Sequence, residues 1–202
     1  MMMRWLALGI AALLSACGSS PKTQFYTLDP VSPQAPIHAA ASIPVQVAAV
    51  HIPPTLDRQE IVRESAPHQL DVSDQNRWGG SLDNVIQRVL TQDLTQRLPP
   101  NSVVLPQEPA LPHHNAIVVD ILQFDEDGSG QVVFDGSWSL TASDSDKPLA
   151  SHHLRLSARA GSNSYSDQVA AMSHVLGELS DNIAGELATA SRTPATKSHA
   201  GR

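Results

Sequence analysis

The chain has 202 residues, with 13 Lys and Arg against 20 Asp and Glu and a formal net charge of −7. No basic run stands out, which argues against a nucleic-acid partner, because phosphate binding depends on clustered positive charge. Aromatic residues make up only 4 % of the chain, so no stacking platform is suggested, and the single cysteine, Cys17, removes disulfides from the account.

The chain opens MMMRWLALGIAALLSACGSS. Arg4 supplies a short positive start, Trp5 to Leu14 is apolar apart from Gly9, and small residues lead into Cys17. This layout predicts a secretory signal peptide over residues 1–16. The apolar run is about half of what a membrane-spanning helix needs. Leu14-Ser15-Ala16-Cys17 resembles the lipobox of bacterial lipoproteins. That resemblance implies that the Cys17 sulfur carries a diacylglyceryl group and that Cys17 becomes the new N-terminus. One acyl chain holds a protein to a bilayer only marginally, whereas two or three hold it firmly. Gly18, where an acidic residue would favour the inner membrane, implies passage to the outer membrane. Loss of Arg4 with the signal makes the remaining chain more acidic still, so lipid, not electrostatics, must hold it to an anionic surface. No cofactor is expected beyond this covalent lipid.

Residues 17–41 are rich in Ser, Pro and Ala and read as a lipidated tether. One aromatic, β-prone patch interrupts them, Phe25-Tyr26-Thr27-Leu28. A folded domain is expected over residues 42–190 and a polar, disordered tail over 191–202. Within the domain, Ile43 to Ile52 reads as a strand with Val45, Val47 and Ala49 on one face, stopped by Pro53-Pro54. Gln59–Glu64 and Gln69–Val72 are shorter strand candidates. Ser81 to Leu98 has the helical period, with Leu82, Val85, Ile86, Val89, Leu90, Leu94 and Leu98 on one stripe and Ser81 as N-cap. Gln87, Arg88, Thr91, Gln92 and Thr95 form the face expected to be solvated. Ala116–Phe124 is mostly apolar and suits a central strand. Gln131–Thr141 and Ser151–Ala160 alternate with period two, and the links DEDGSG and SDSDKP have turn chemistry. These three segments predict an antiparallel meander. Asp167 to about Thr189 is the second helix, capped by Ser166 or Asp167, with Val169, Met172, Leu176, Leu179, Ile183 and Leu187 inward. The expected fold is a single α+β domain, a mainly antiparallel sheet packed by two amphipathic helices.

Candidate chemistry is thin. Asp125, Asp127, Ser129 and Gly130 fit the first positions of a calcium-binding loop, but its last ligand falls at Gly136, so a hairpin turn is the reading. His113-His114 and His152-His153 are adjacent pairs, which a strand points to opposite faces, so neither pair easily chelates one metal ion. No G-x-S-x-G motif is present, and Ser and His are too plentiful for any triad drawn from them to be informative. No catalytic, cofactor or metal residues are assigned. Phe25 with Tyr26, and Arg77 with Trp78, are the candidate partner contacts, because aromatic residues and Arg concentrate at interface hot spots. Trp78 has a second reading, as an aromatic cover over the core.

Taken in order, several segments resemble the ABC-type transport auxiliary lipoproteins, the PqiC-like group. They are FYTL (25–28), VHIPPTLDRQEIV (50–62), RWGGSLDNVIQRVLTQDLTQRLP (77–99), VDILQFDEDGSGQVVFDGSW (119–138) and VAAMSHVLGELSDNIAGEL (169–187). Ser81 stands where the family often has Pro, and Thr55 where it often has an aromatic residue. The resemblance implies a non-catalytic subunit on the outer membrane, facing the periplasm. It would accompany an ATP-driven permease and a ring-forming MCE-domain protein that conducts lipid between two membranes. A subunit matching such a ring is expected to form a homo-oligomer or to bind the ring's rim. A periplasmic lipid carrier and a periplasmic hydrolase are the alternatives.

Overall fold

Alternation and helical periodicity place nine elements along the residues described by the computed structural model, 22–33, 43–106, 113–142 and 147–190. They are β1 (Gln24–Tyr26), β2 (Val45–His51), β3 (Glu60–Ala66), β4 (Gln69–Trp78), α1 (Leu82–Arg97), β5 (Asn115–Glu126), β6 (Gln131–Ala142), β7 (Pro148–Arg159) and α2 (Tyr165–Ala190). The expected signal, Cys17, the tail and most of the SDSDKP link lie outside the described residues.

The strands form one sheet in the order β1-β4-β3-β5-β6-β7, with β2 also paired to β5. β5, β6 and β7 make the expected antiparallel meander. The sheet as a whole is mixed and not mainly antiparallel. β1 runs parallel to β4, and β2 and, at one residue in its middle, β3 run parallel to β5. For the pairs with β5 the reason is the long connection through α1, and for β1 and β4 the long connection through β2 and β3: connections of this length allow a later strand to return parallel to an earlier one. One edge of β5 is shared, its first half bonded to β2 and its last residue, Glu126, reaching Arg63 of β3.

The alternation of β6 is kept without a break. Val132, Phe134, Gly136, Trp138 and Leu140 face the helices, against Ile117, Val119, Ile121 and Phe124 of β5. Phe124 and Phe134 meet edge to face at 5.9 Å, and Trp138 Nε1 donates to Asn182 of α2 at 3.0 Å. Every residue named for the two helical stripes is buried. In β2 the inward residues are Val45, Val47 and Val50, not Ala49, because the register shifts between Val47 and Ala49 and the extra residue inverts the alternation.

The helix ends also depart from expectation. Ser81 makes no side-chain cap bond; its hydroxyl instead accepts from Asn84 Nδ2. For α2 the cap is Ser164, whose hydroxyl accepts from the Asp167 N–H, so the helix begins before Ser166 and Asp167. The face of α1 expected to be solvated is partly covered. Thr91 is buried, and Gln87 donates to the Val47 carbonyl.

At Gly136 a Cβ would stand 2.5 Å from the Asp120 carbonyl oxygen and 3.2 Å from Ile121 Cα, both backbone atoms of the neighbouring strand. Nothing there can move aside without breaking the β5–β6 ladder. Gly136→Ala should therefore cost about 1–3 kcal/mol, the usual range for overpacking, seen as a lower urea midpoint at unchanged slope.

Candidate functional site

The two patches singled out in the sequence meet in space. β1 pairs with β4 as Gln24↔Asn76, Phe25↔Arg77 and Tyr26↔Trp78. The aromatic patch thus adds a strand to its own domain, and the Gly79 N–H donates to the Tyr26 carbonyl at 2.7 Å. Trp78 is only 4 % exposed and belongs to the core, so of its two readings the core cover is the one observed. Tyr26 is half-buried, its hydroxyl within hydrogen-bond distance of Gln24 and Asn76. Arg77 lies 3.6 Å from Glu60 of β3. Phe25 alone of the four stands out, 67 % exposed.

Beyond β1 the chain continues as a strap along the seam between α1 and α2. Leu28 is fully buried in the core. Arg88 donates to the Leu28 carbonyl at 2.8 Å, and Ser173 Oγ accepts from the Asp29 N–H. Val31 is held by its own backbone: its N–H donates to Asp93 Oδ1 at 2.8 Å and its carbonyl accepts from Arg97 Nη1 at 2.9 Å. The Val31 side chain fills a notch at Gly177, where a Cβ would lie 3.0 Å from Val31 Cβ. Arg97 Nε also donates to Asp181 at 2.7 Å and its Nη2 to the Gly177 carbonyl. Residues 22–33, read from the sequence as tether, are therefore in large part docked on the body.

Asp93 and Arg97 were not singled out in the sequence. Their signal is spacing: Ile86, Leu90, Asp93 and Arg97 follow one another at helical intervals, which carries an acid and a base onto the core side of α1. Both are buried. Burial pushes the Asp93 carboxyl from 3.8 up to about 6; the Val31 N–H and Arg97 pull it down, and Asp181 pushes it up. The nearby Ser180 hydroxyl adds a smaller downward pull.

The other candidate groups do not converge. His152 and His153 point to opposite sides of β7: His152 stacks on Trp138 at 4.8 Å, while His153 lies 3.0 Å from Asp135 on the open face of the sheet. Ser137 stands opposite His153 in the ladder, but the imidazole is turned to Asp135. His113 is exposed and His114 half-buried at the start of β5. Asp125 to Gly130 form a hairpin turn, with the Gly130 N–H donating to the Asp127 carbonyl. Burial pushes Asp127 up, but bonds from Ser129 and Gln131, with Arg159 nearby, outweigh it and hold it below the usual carboxylate range. Asp125 goes the other way, raised by burial against the bond from Gln123, with Glu64 and Asp127 adding to the rise. Among the described residues no group of three or more His, Cys, Asp or Glu is placed to hold a metal ion. A hollow of about 510 Å³ lies on the outer side of α1, lined by Asn84, Gln87, Arg88, Thr91, Leu105 and Pro106, and not between sheet and helices.

Residues 26–184, more than half of the chain, match a family model described as the ABC-type transport auxiliary lipoprotein component. The chain belongs to this family. Two crystal structures share the fold of this auxiliary lipoprotein. One, of an uncharacterized protein, has a TM-score of 0.67 at 21 % identity and covers 83 % of this chain and 99 % of its own. The other, a protein of the DUF330 family model from Xanthomonas campestris, has a TM-score of 0.67 at 14 % identity, with 82 % and 95 % covered. Among curated proteins none matches. Within the described part of the auxiliary lipoprotein, no helix is long and apolar enough to cross a membrane.

The raised Asp93 carries a pH consequence for this auxiliary lipoprotein. Between about pH 4 and 6 the folded state keeps a proton that the unfolded chain has released. This group therefore lowers stability as pH rises through that window. Replacing the carboxyl in Asp93→Asn should remove that part of the slope, measured by urea unfolding at several pH values across the window. An unchanged slope would show that Asp93 is already ionised in the fold.

Proposed function

We propose that this chain is a lipid-anchored, periplasm-facing auxiliary subunit of an ABC and MCE-type system that moves lipid between two membranes. The match of residues 26–184 to the auxiliary lipoprotein component carries the reading. The lipobox-like Leu14-Ser15-Ala16-Cys17 supports acylation at Cys17, and Gly18 supports residence on the outer membrane. In this reading the body is an adaptor without catalytic chemistry, and it contributes to the envelope barrier. Its partners are an MCE-domain protein and copies of itself. A carrier role would need an apolar cavity between sheet and helices; that space is filled by Phe124, Phe134, Trp138, Ile86, Leu90 and Leu176, each nearly or fully inaccessible.

The test is capture from membranes with the tagged lipoprotein, expecting an MCE-domain protein among the co-purified chains, combined with deletion of the gene, expecting greater sensitivity to detergents. Recovery of no transport component, with normal detergent resistance, would sink the reading. Cys17→Ala should abolish acyl labelling and leave the precursor uncleaved by the lipoprotein peptidase. Normal maturation and acyl labelling of that variant would place the anchor elsewhere.

A further inference from the structure

We propose that the β1 edge of the domain is the surface that rests on the bilayer, with Phe25 set among the lipid headgroups; this rests on lipidation of Cys17. The first argument is length. The chain from Cys17 to Gln24 reaches at most about 25 Å when fully extended. The sheet from β1 to β7 is about as wide, five strand spacings of about 4.8 Å. Because β1, Leu28 and Val31 are docked, no further slack is released downstream. The acyl chains must therefore stay within one domain width of the β1 edge.

The second argument is what that edge presents. In an edge strand whose inner side chain, Tyr26, packs against the core, Phe25 points outward and is 67 % exposed. Arg77 lies beside it in register, with Glu60 next across the ladder and Arg58 3.7 Å from Glu60. Lys22 precedes the strand. In a chain of net charge −7, Arg77 and Lys22 flank this exposed aromatic, and with Arg58 they outnumber Glu60, which pairs with both arginines, so the local balance is positive. Aromatic rings settle at the headgroup level, and basic residues are drawn to anionic lipid. One such ring would not hold a free domain on a membrane. Here the tether supplies the high local concentration that makes a weak contact persist.

The mature lipoprotein, reconstituted into vesicles of phosphatidylethanolamine and phosphatidylglycerol with brominated acyl chains, tests this. Phe25→Trp places a reporter on the proposed contact. His153→Trp places one on the far edge strand β7. The two tryptophans of the domain, Trp78 and Trp138, are buried and give a constant background. The Phe25→Trp reporter should lose most of its emission on bromination and shift to the blue, while His153→Trp stays unquenched. Acylation is read on the same sample by intact mass. An acylated, vesicle-bound protein whose two reporters are quenched alike, or whose Phe25→Trp reporter is untouched, overturns the orientation and leaves the anchor standing. Absence of the acyl mass overturns the anchor and the orientation together.

Discussion

The guanidinium of Arg97 is the group on which the rest of the arrangement depends. It is 2 % exposed, and a cation taken out of water to that degree is tolerated only if its donors are met. Its acceptors come from three separate segments: the Val31 carbonyl from the strap, the Asp93 carbonyl from its own helix, and Asp181 with the Gly177 carbonyl from α2. α1, α2 and the N-terminal strap are thus fixed relative to one another by a single side chain. The strap gains in the same way, since the Val31 N–H and carbonyl would otherwise be polar groups pressed against an apolar seam. The bare α-carbon of Gly177 lets the strap approach closely enough for these bonds to form.

Much of this fold was legible because hydrophobic periodicity reports burial directly. The stripes of α1 and α2 and the alternation of β6 all name residues that are buried. Three things were hidden for physical reasons. The bulge in β2 lets Val50 replace Ala49 on the inner face, a change of one residue that no alternation pattern can announce. Parallel pairing depends on where a crossover returns the chain, and β1 is too short to declare its partner. The clamp was hidden because Asp93 and Arg97 look like a surface ion pair on a helix; only the strap, distant in sequence, makes them interior. Of the four contact residues named from the sequence, Trp78 went to the core for an ordinary reason, a large apolar ring beside β1, while Phe25 stayed outside.

The solvent face of the sheet shows why abundance of polar residues misleads. His51, Asp120, Ser137 and His153 stand in one row across four strands, with His51 Nδ1 2.7 Å from Asp120 and His153 3.0 Å from Asp135. Polar pairs of this kind suit a solvated face, and the row is flat and open, with His51 and His153 well exposed.

The parallel docking of β1 on β4 also has a mechanical side. When its N-terminal end is pulled along the strand axis, β1 does not yield alone. Its hydrogen bonds to β4, the buried Leu28 and the Arg97 clamp are then loaded together, in shear, instead of being peeled open one at a time. Forced unfolding is governed by the rate of crossing its barrier, and shared loading raises that barrier. The domain is thereby coupled stiffly to whatever holds its N-terminus, so that displacement at that end moves the whole body without first unravelling it.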